Sequence, residues 1–218
     1  MTSDAQAHPH QNPRLVQAGN PLDAATAAMI LLHGRGSNPE DILSLTHYLE
    51  VTGWALLAPQ AAGYTWYPYS FLAPREQNEP YLSSALAMLE ETVQTVLDAG
   101  IQPEEIVLLG FSQGACLSLE YAARNPRPYG GVSALSGGLI GETVQAADYP
   151  GSLEGVPVFL GCSDIDPHIP RARVLESERI LSDMGAQVTA RLYPGMGHTI
   201  NEDELAAVQQ ILTGVGQS

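Results

Sequence analysis

Residues Ile106 to Arg124 read I-V-L-L-G-F-S-Q-G-A-C-L-S-L-E-Y-A-A-R. Four apolar residues, Ile106 to Leu109, run into Gly110-Phe111-Ser112-Gln113-Gly114. A run with helical periodicity, Gln113 to Arg124, follows at once. G-x-S-x-G between a strand and a helix is a nucleophile elbow: a sharp turn that holds the serine in a strained conformation with its hydroxyl exposed. A Cβ at Gly110 or Gly114 would collide where strand and helix come close. Ser112 also stands at a helix N-terminus, where free N–H groups favour developing negative charge. The five-residue pattern is weak alone in a chain with 21 glycines, and its placement gives it weight.

Outward from this turn the same alternation repeats. Short apolar runs occur at Ala27–Leu32, Trp54–Ala58, Val132–Leu135, Val156–Leu160 and Val188–Tyr193, with a shorter one at Arg14–Gln17. Unbroken apolar runs of this length read as strands buried on both faces. Between them lie helical patterns at Asn38–Leu49, Tyr81–Ala99, Arg171–Met184 and Asp203–Leu212. The first is started by Asn38-Pro39 and the second ended by Gly100. Strands alternating with helices predict a mostly parallel sheet with helices on both faces, in one domain over residues 13–218. Residues 1–12 are polar and proline-containing, and are expected to form a poorly ordered tail.

Ligands of such a sheet bind beyond the carboxyl ends of the strands, so the residues after each strand matter most. A serine needs a neighbouring base, and in this arrangement the order is serine, acid, histidine. His198, in Y-P-G-M-G-H-T after the last strand, is the expected base. His168 follows Asp166-Pro167 too closely and precedes the last strand. His33 precedes the serine and is expected to be structural. The acid should follow the preceding strand, where S-D-I-D-P-H-I-P offers Asp164 and Asp166, and spacing does not separate them. The oxyanion needs two N–H donors. These are expected from the backbone of Gln113 and from Arg35 in His33-Gly34-Arg35-Gly36.

Composition narrows the partners. Nine basic residues, all arginine, stand against 24 acidic ones, a net charge of −15. This excludes the concentrated positive surface that nucleic acids and anionic membranes require. The longest near-apolar run, Ala24–Leu32, is too short to cross a bilayer. Cys116 and Cys162 sit in apolar stretches and read as free thiols of a reducing compartment, the cytoplasm. No His/Asp/Glu group has metal-ligand spacing, His8 and His10 included, so neither metal nor cofactor is expected.

L-H-G-R-G, G-F-S-Q-G-A, D-I-D-P-H-I-P and G-M-G-H together resemble the phospholipase/carboxylesterase family of α/β hydrolases, which includes acyl-protein thioesterases. The resemblance runs from about Leu31 to the C-terminus. It implies the α/β-hydrolase fold without a large cap domain, and hydrolysis of carboxylic esters, in some members thioesters. It implies Asp166, the aspartate before proline, as the acid. One segment departs. Thioesterase members tend to carry a tryptophan-aromatic-aspartate run after the second core strand; here Trp66-Tyr67 is followed by Pro68. In this the chain looks more like bacterial carboxylesterases of small esters.

Five of the fourteen aromatic residues fall between Tyr64 and Phe71. Trp66, Tyr67 and Phe71 are expected to form an apolar wall for acyl or aryl groups. The competing reading is a loop pinned by its own aromatics, or a homodimer patch. The reading that results is a serine carboxylesterase acting on short to medium acyl or aryl esters. A thioesterase or lysophospholipase is the alternative within enzymes, and a non-catalytic ligand-binding relative the alternative outside them.

Overall fold

The computed structural model describes residues 8–11 and 13–216. Seven strands form one sheet in the order β1-β3-β2-β4-β5-β6-β7. They are β1 (Leu15–Gly19), β2 (Ala27–Leu32), β3 (Trp54–Pro59), β4 (Ile106–Phe111), β5 (Gly131–Leu135), β6 (Pro157–Ser163) and β7 (Gln187–Tyr193). β1 runs antiparallel to β3, and every other pairing is parallel. The helices are α1 (Pro39–Leu43), α2 (Tyr81–Asp98), α3 (Gln113–Arg124), α4 (Arg171–Asp183) and α5 (Glu202–Gly214).

The apolar runs are continuous because both faces of the sheet are covered. In β2, Ala28, Ile30 and Leu32 face one core with residues of α2, α3 and α4. Ala27, Met29 and Leu31 face a second core with Ile42 of α1 and Ala207, Val208 and Leu212 of α5. All six β2 residues are buried. Burying one such large side chain contributes about 1.5–3 kcal/mol, so the central strands supply much of the folding free energy.

The long pattern from Asn38 to Leu49 is not one helix. α1 ends at Leu43 and a 3-10 segment, Ser44–Tyr48, completes it. Asn38 caps α1 by accepting from the Asp41 N–H at 2.9 Å. The start of the chain also departs from expectation. His10 is buried. Its ring bonds the Trp66 carbonyl at 2.9 Å and accepts from the Ala62 N–H at 3.0 Å. Of the expected tail, residues 8–11 thus include a side chain packed on the body, and residues 1–7 and 12 lie outside the described residues. Burial lowers the His10 pKa against its bond to Trp66, which suits a neutral ring that donates from one nitrogen and accepts at the other.

After β5 the chain follows a long path to β6, held to the body by buried charges. Arg173 of α4 donates to the carbonyls of Leu139 and Gly141 at 2.8 and 2.7 Å. Glu120 of α3 accepts from the Ile140 N–H and the Tyr149 hydroxyl, both at 2.9 Å.

Asn201 and Glu204 cap α5 reciprocally, each side chain accepting from the other's N–H at 2.9 Å. Glu204 is wholly buried, and its second oxygen has no hydrogen-bond partner. Burial, opposed by the bond from Asn201, pushes its carboxyl up to about 7. Because the folded value lies above the ordinary 4.5, the associated stability is complete below about 4.5 and is lost as pH rises through about 7. Glu204→Gln keeps an acceptor for the cap and removes the titration. Its denaturation midpoint in urea should vary less between pH 5 and pH 8 than that of the parent; equal pH slopes would disprove this account.

Candidate active site

Ser112 sits between β4 and α3 with φ of 55°, a left-handed conformation costly for a residue with a side chain. The turn survives because neighbours hold it. The Ser112 N–H donates to the Leu135 carbonyl at 2.9 Å and its carbonyl accepts from the Cys116 N–H at 3.0 Å. The flanking glycines are required by contact. A Cβ on Gly110 would stand 2.3 Å from the Gly114 carbonyl oxygen, and one on Gly114 2.1 Å from that of Leu32. Both obstacles are backbone, which no rotamer change relieves.

His198 Nε2 lies 2.9 Å from Ser112 Oγ, and its Nδ1 lies 2.7 Å from Asp166 Oδ2. With Asp166 ionised, Nδ1 carries the proton and Nε2 is free to accept from the serine hydroxyl. The Asp166 side chain is fully buried. Burial opposes its charge, yet the bond from His198 and the N–H groups of His168 and Ile169, at 2.8 and 3.0 Å, outweigh it and hold the carboxyl below its usual range. The His198 ring packs on Phe111, with centroids 5.0 Å apart. Asp164, the other acid open to the sequence reading, is exposed and instead accepts from the Gly195 N–H at 2.9 Å. It braces the loop that carries His198.

Gln113 is the first residue of α3, so its N–H is an orphan of the helix start. Gly34 abuts the nucleophile: a Cβ there would be 3.5 Å from Ser112 Cβ. Its carbonyl accepts from His33 Nδ1 at 2.7 Å and from the Ser37 N–H at 3.2 Å. A trans peptide holds N–H opposite C=O, so these bonds turn the Arg35 N–H the other way. His33 is fully buried, with Nε2 accepting from the Ala61 N–H at 3.1 Å. Desolvation lowers its pKa, against its bond to Gly34 and the charge of Asp41. It is a structural histidine that orients the loop.

The aromatic segment divides. A cavity of about 470 Å³ opens at Ser112 and is lined by Tyr67, Phe71, Cys116, Ile169 and His168, with Arg35 and Tyr69 at its edge. Tyr67 and Phe71 thus stand where an acyl wall is expected. Trp66 does not. It is completely buried, its indole N–H donates to the His33 carbonyl at 2.8 Å, and its ring lies 4.9 Å from the imidazole of His33. The expectation of Trp66 as a wall residue is not met by its position: it does not line the cavity and supports the His33–Gly36 loop from beneath. Tyr64 and Tyr69 remain exposed. His168, too close to Asp166 in the chain to be the expected base, packs edge-on against His198 with ring centroids 4.9 Å apart. Its place beside the acid loop was visible in D-I-D-P-H, but its contact with His198 was not. A larger hollow, about 710 Å³, lies at the amino ends of β5 to β7 and holds none of these groups. Among the described residues no cluster of three His, Cys, Asp or Glu could hold a metal ion, and no helix is long and apolar enough to cross a membrane.

A mostly parallel sheet with a serine on the turn after its central strand, an aspartate after β6 and a histidine after β7 defines the chain as an α/β hydrolase. Residues 15–215 match the phospholipase/carboxylesterase family, and the chain belongs to it. The crystal structure of a phospholipase/carboxylesterase from Dyadobacter fermentans superposes with a TM-score of 0.90 at 46% identity, covering 93% of this chain and 97% of that one. Esterase PE8 superposes with a TM-score of 0.75 at 26% identity, over 93% and 99% of the two chains. Acyl-protein thioesterase 1 of Saccharomyces cerevisiae is 33% identical over 124 residues, 56% of this chain and 55% of that protein. The chain thus spans little more than half the length of that relative.

Two substitutions separate these roles. Trp66→Ala should cost about 3–5 kcal/mol of stability and lower kcat for acetate and bulkier esters alike; a KM effect confined to bulky esters would return Trp66 to the acyl wall. Asp166→Asn should lower kcat on the order of 10³–10⁴-fold with little change in fold, because the His198 tautomer is no longer set. Near-wild-type turnover by this variant would shift the acid's role to Asp164.

Proposed function

We propose that the protein is a serine carboxylesterase that hydrolyses carboxylic esters with short to medium acyl or aryl groups. The observation that carries this reading is the single imidazole bonded to both Ser112 and Asp166, at 2.9 and 2.7 Å. Ser112 Oγ attacks the ester carbonyl carbon as His198 Nε2 takes its proton. The carbonyl oxygen becomes an oxyanion facing the N–H groups of Gln113 and Arg35. His198 then gives the proton to the leaving alkoxide, and the alcohol departs from an acyl-Ser112 ester. Water enters, His198 takes its proton, and collapse of the second tetrahedral intermediate frees the acid and restores the serine. Each proton moves between groups of the chain and substrate, so the cycle calls for no metal or organic cofactor.

The acyl chain fits the cavity beside Phe71, the Tyr67 ring and Ile169, with Cys116 at its base. Cys116 is buried and its thiol is pushed up to about 12, chiefly by desolvation, so it is a neutral apolar wall and not a rival nucleophile. Two free buried thiols suit a reducing compartment, the cytoplasm. A net charge of −15 favours a small-molecule ester over a polyanionic partner. The second reading, a thioesterase, is favoured by the 33% identity to an acyl-protein thioesterase. It is opposed by Pro68 in the place where such relatives tend to carry aspartate.

Esters and thioesters matched in acyl length, from acetyl to palmitoyl, decide between them. Turnover should be greatest for oxygen esters of short to medium acyl groups. Ser112→Ala should lose at least 10³-fold in kcat and all labelling by a fluorophosphonate probe. Labelling retained by that variant would place the nucleophile elsewhere, and a preference for palmitoyl thioesters would favour the thioesterase reading.

A further inference from the structure

The side chains of the two proposed oxyanion donors converge on one atom. The Arg35 guanidinium donates to the carbonyls of Tyr67, Pro68 and Tyr69 at 2.9, 2.9 and 2.7 Å. The Gln113 amide nitrogen donates to the same Tyr67 carbonyl at 2.8 Å. The Gln113 amide oxygen accepts from the Trp66 N–H at 3.0 Å, and the Thr65 hydroxyl donates to the same Tyr67 carbonyl at 2.9 Å. The two anchors differ in stiffness. Gln113 is buried at the start of a twelve-residue helix. Arg35 is exposed and stands between two glycines, one of them, Gly36, with φ of +78°. The flanking glycines are held through the Gly34 carbonyl and through the Gly36 N–H, which donates to the Tyr64 carbonyl at 2.7 Å, but they leave Arg35 itself on a backbone of wide conformational freedom, so the Arg35 N–H is the donor that gains more from a side-chain support. Arg35 forms no ion pair among the described residues, although the chain carries 24 acidic side chains. Its charge is directed instead at three backbone carbonyls.

We propose that Arg35, Gln113 and the Tyr67 carbonyl form a brace that fixes the distance between the two oxyanion N–H groups, making the Arg35 and Gln113 side chains positioning elements for the transition state. This deepens the esterase reading and rests on it. The stiffness of α3 passes through the Gln113 side chain to the Tyr67 carbonyl, and from there through the guanidinium to the glycine-flanked loop. The brace matters when charge develops on the substrate oxygen, because preorganised donors need not move at that moment. Ground-state binding, governed by the acyl wall, depends on it less. An arginine that merely pins the aromatic loop would instead alter pocket shape and KM.

Arg35→Leu and Gln113→Met keep both backbone N–H groups and remove the brace from opposite ends. Each should lower kcat at least ten-fold with KM within three-fold, while Ser112 still reacts with a fluorophosphonate. Methylguanidine should restore part of kcat to Arg35→Ala and none to Gln113→Met. The double variant should be no more than about two-fold slower than the worse single one, since one brace cannot be lost twice. Hydrogen exchange at the Gly36 amide, which donates to the Tyr64 carbonyl at 2.7 Å, should quicken at least ten-fold in Gln113→Met, a readout independent of any substrate. Single variants within two-fold of the parent kcat, effects that multiply in the double variant, a change in KM alone, or unchanged exchange would each overturn the brace. Failure of the esterase reading looks different: the parent itself would then lack Ser112-dependent turnover.

Discussion

The close approach of α3 to the sheet is the constraint on which the site depends. Gly114 brings the helix so near β2 that a methyl group there would overlap the Leu32 carbonyl, and Gly110 leaves equally little room beneath the turn. This contact forces Ser112 into its left-handed conformation and brings its hydroxyl up beside the loop that leaves β2. The serine, the helix start and the His33–Gly36 loop are placed together by one packing contact. The rest of the site is built around that fixed point by hydrogen bonds from longer loops.

Those loops are ordered by groups that do no chemistry themselves. Asp166 is oriented by two backbone N–H groups as well as by His198, so its carboxylate is solvated by the protein in the place of water. Asp164 ties down the glycine-containing loop of His198. Trp66, His33 and Gly34 form a stack in which each group holds the next: indole to His33 carbonyl, imidazole to Gly34 carbonyl. The sheet gives the site its position, and these bonds give it its precision.

Most of the fold was legible in the sequence because the inner parallel strands, β2 to β6, are buried on both faces, which leaves near-continuous apolar runs with sharp ends; the edge strand β7 is only half-buried and its run is broken by Thr189 and Arg191. The positions of Ser112 and His198 at strand ends were legible for a related reason: each follows a strand that the apolar pattern marks. The acid was not separable by spacing, because Asp164 and Asp166 both follow β6. Their roles diverge only through the direction of the turn, which aims one at His198 Nδ1 and the other at the Gly195 N–H. Trp66 failed for want of a period. In a loop without helix or strand repeat, neighbouring side chains alternate unpredictably between cavity and core, and the sequence shows only that aromatics are near the mouth. His10 was missed because its burial rests on two ring hydrogen bonds and not on an apolar pattern.

That histidine lies before the span matched to the family, yet it holds part of the aromatic loop. The match to the family starts at residue 15, and the first strand at Leu15. A boundary drawn there would cut away the partner of the Trp66 carbonyl and of the Ala62 N–H, leaving two backbone groups of the supporting loop unsatisfied, at about 1–3 kcal/mol each where they stay buried. The span matched to the family is thus shorter than the span that satisfies the backbone of the aromatic loop.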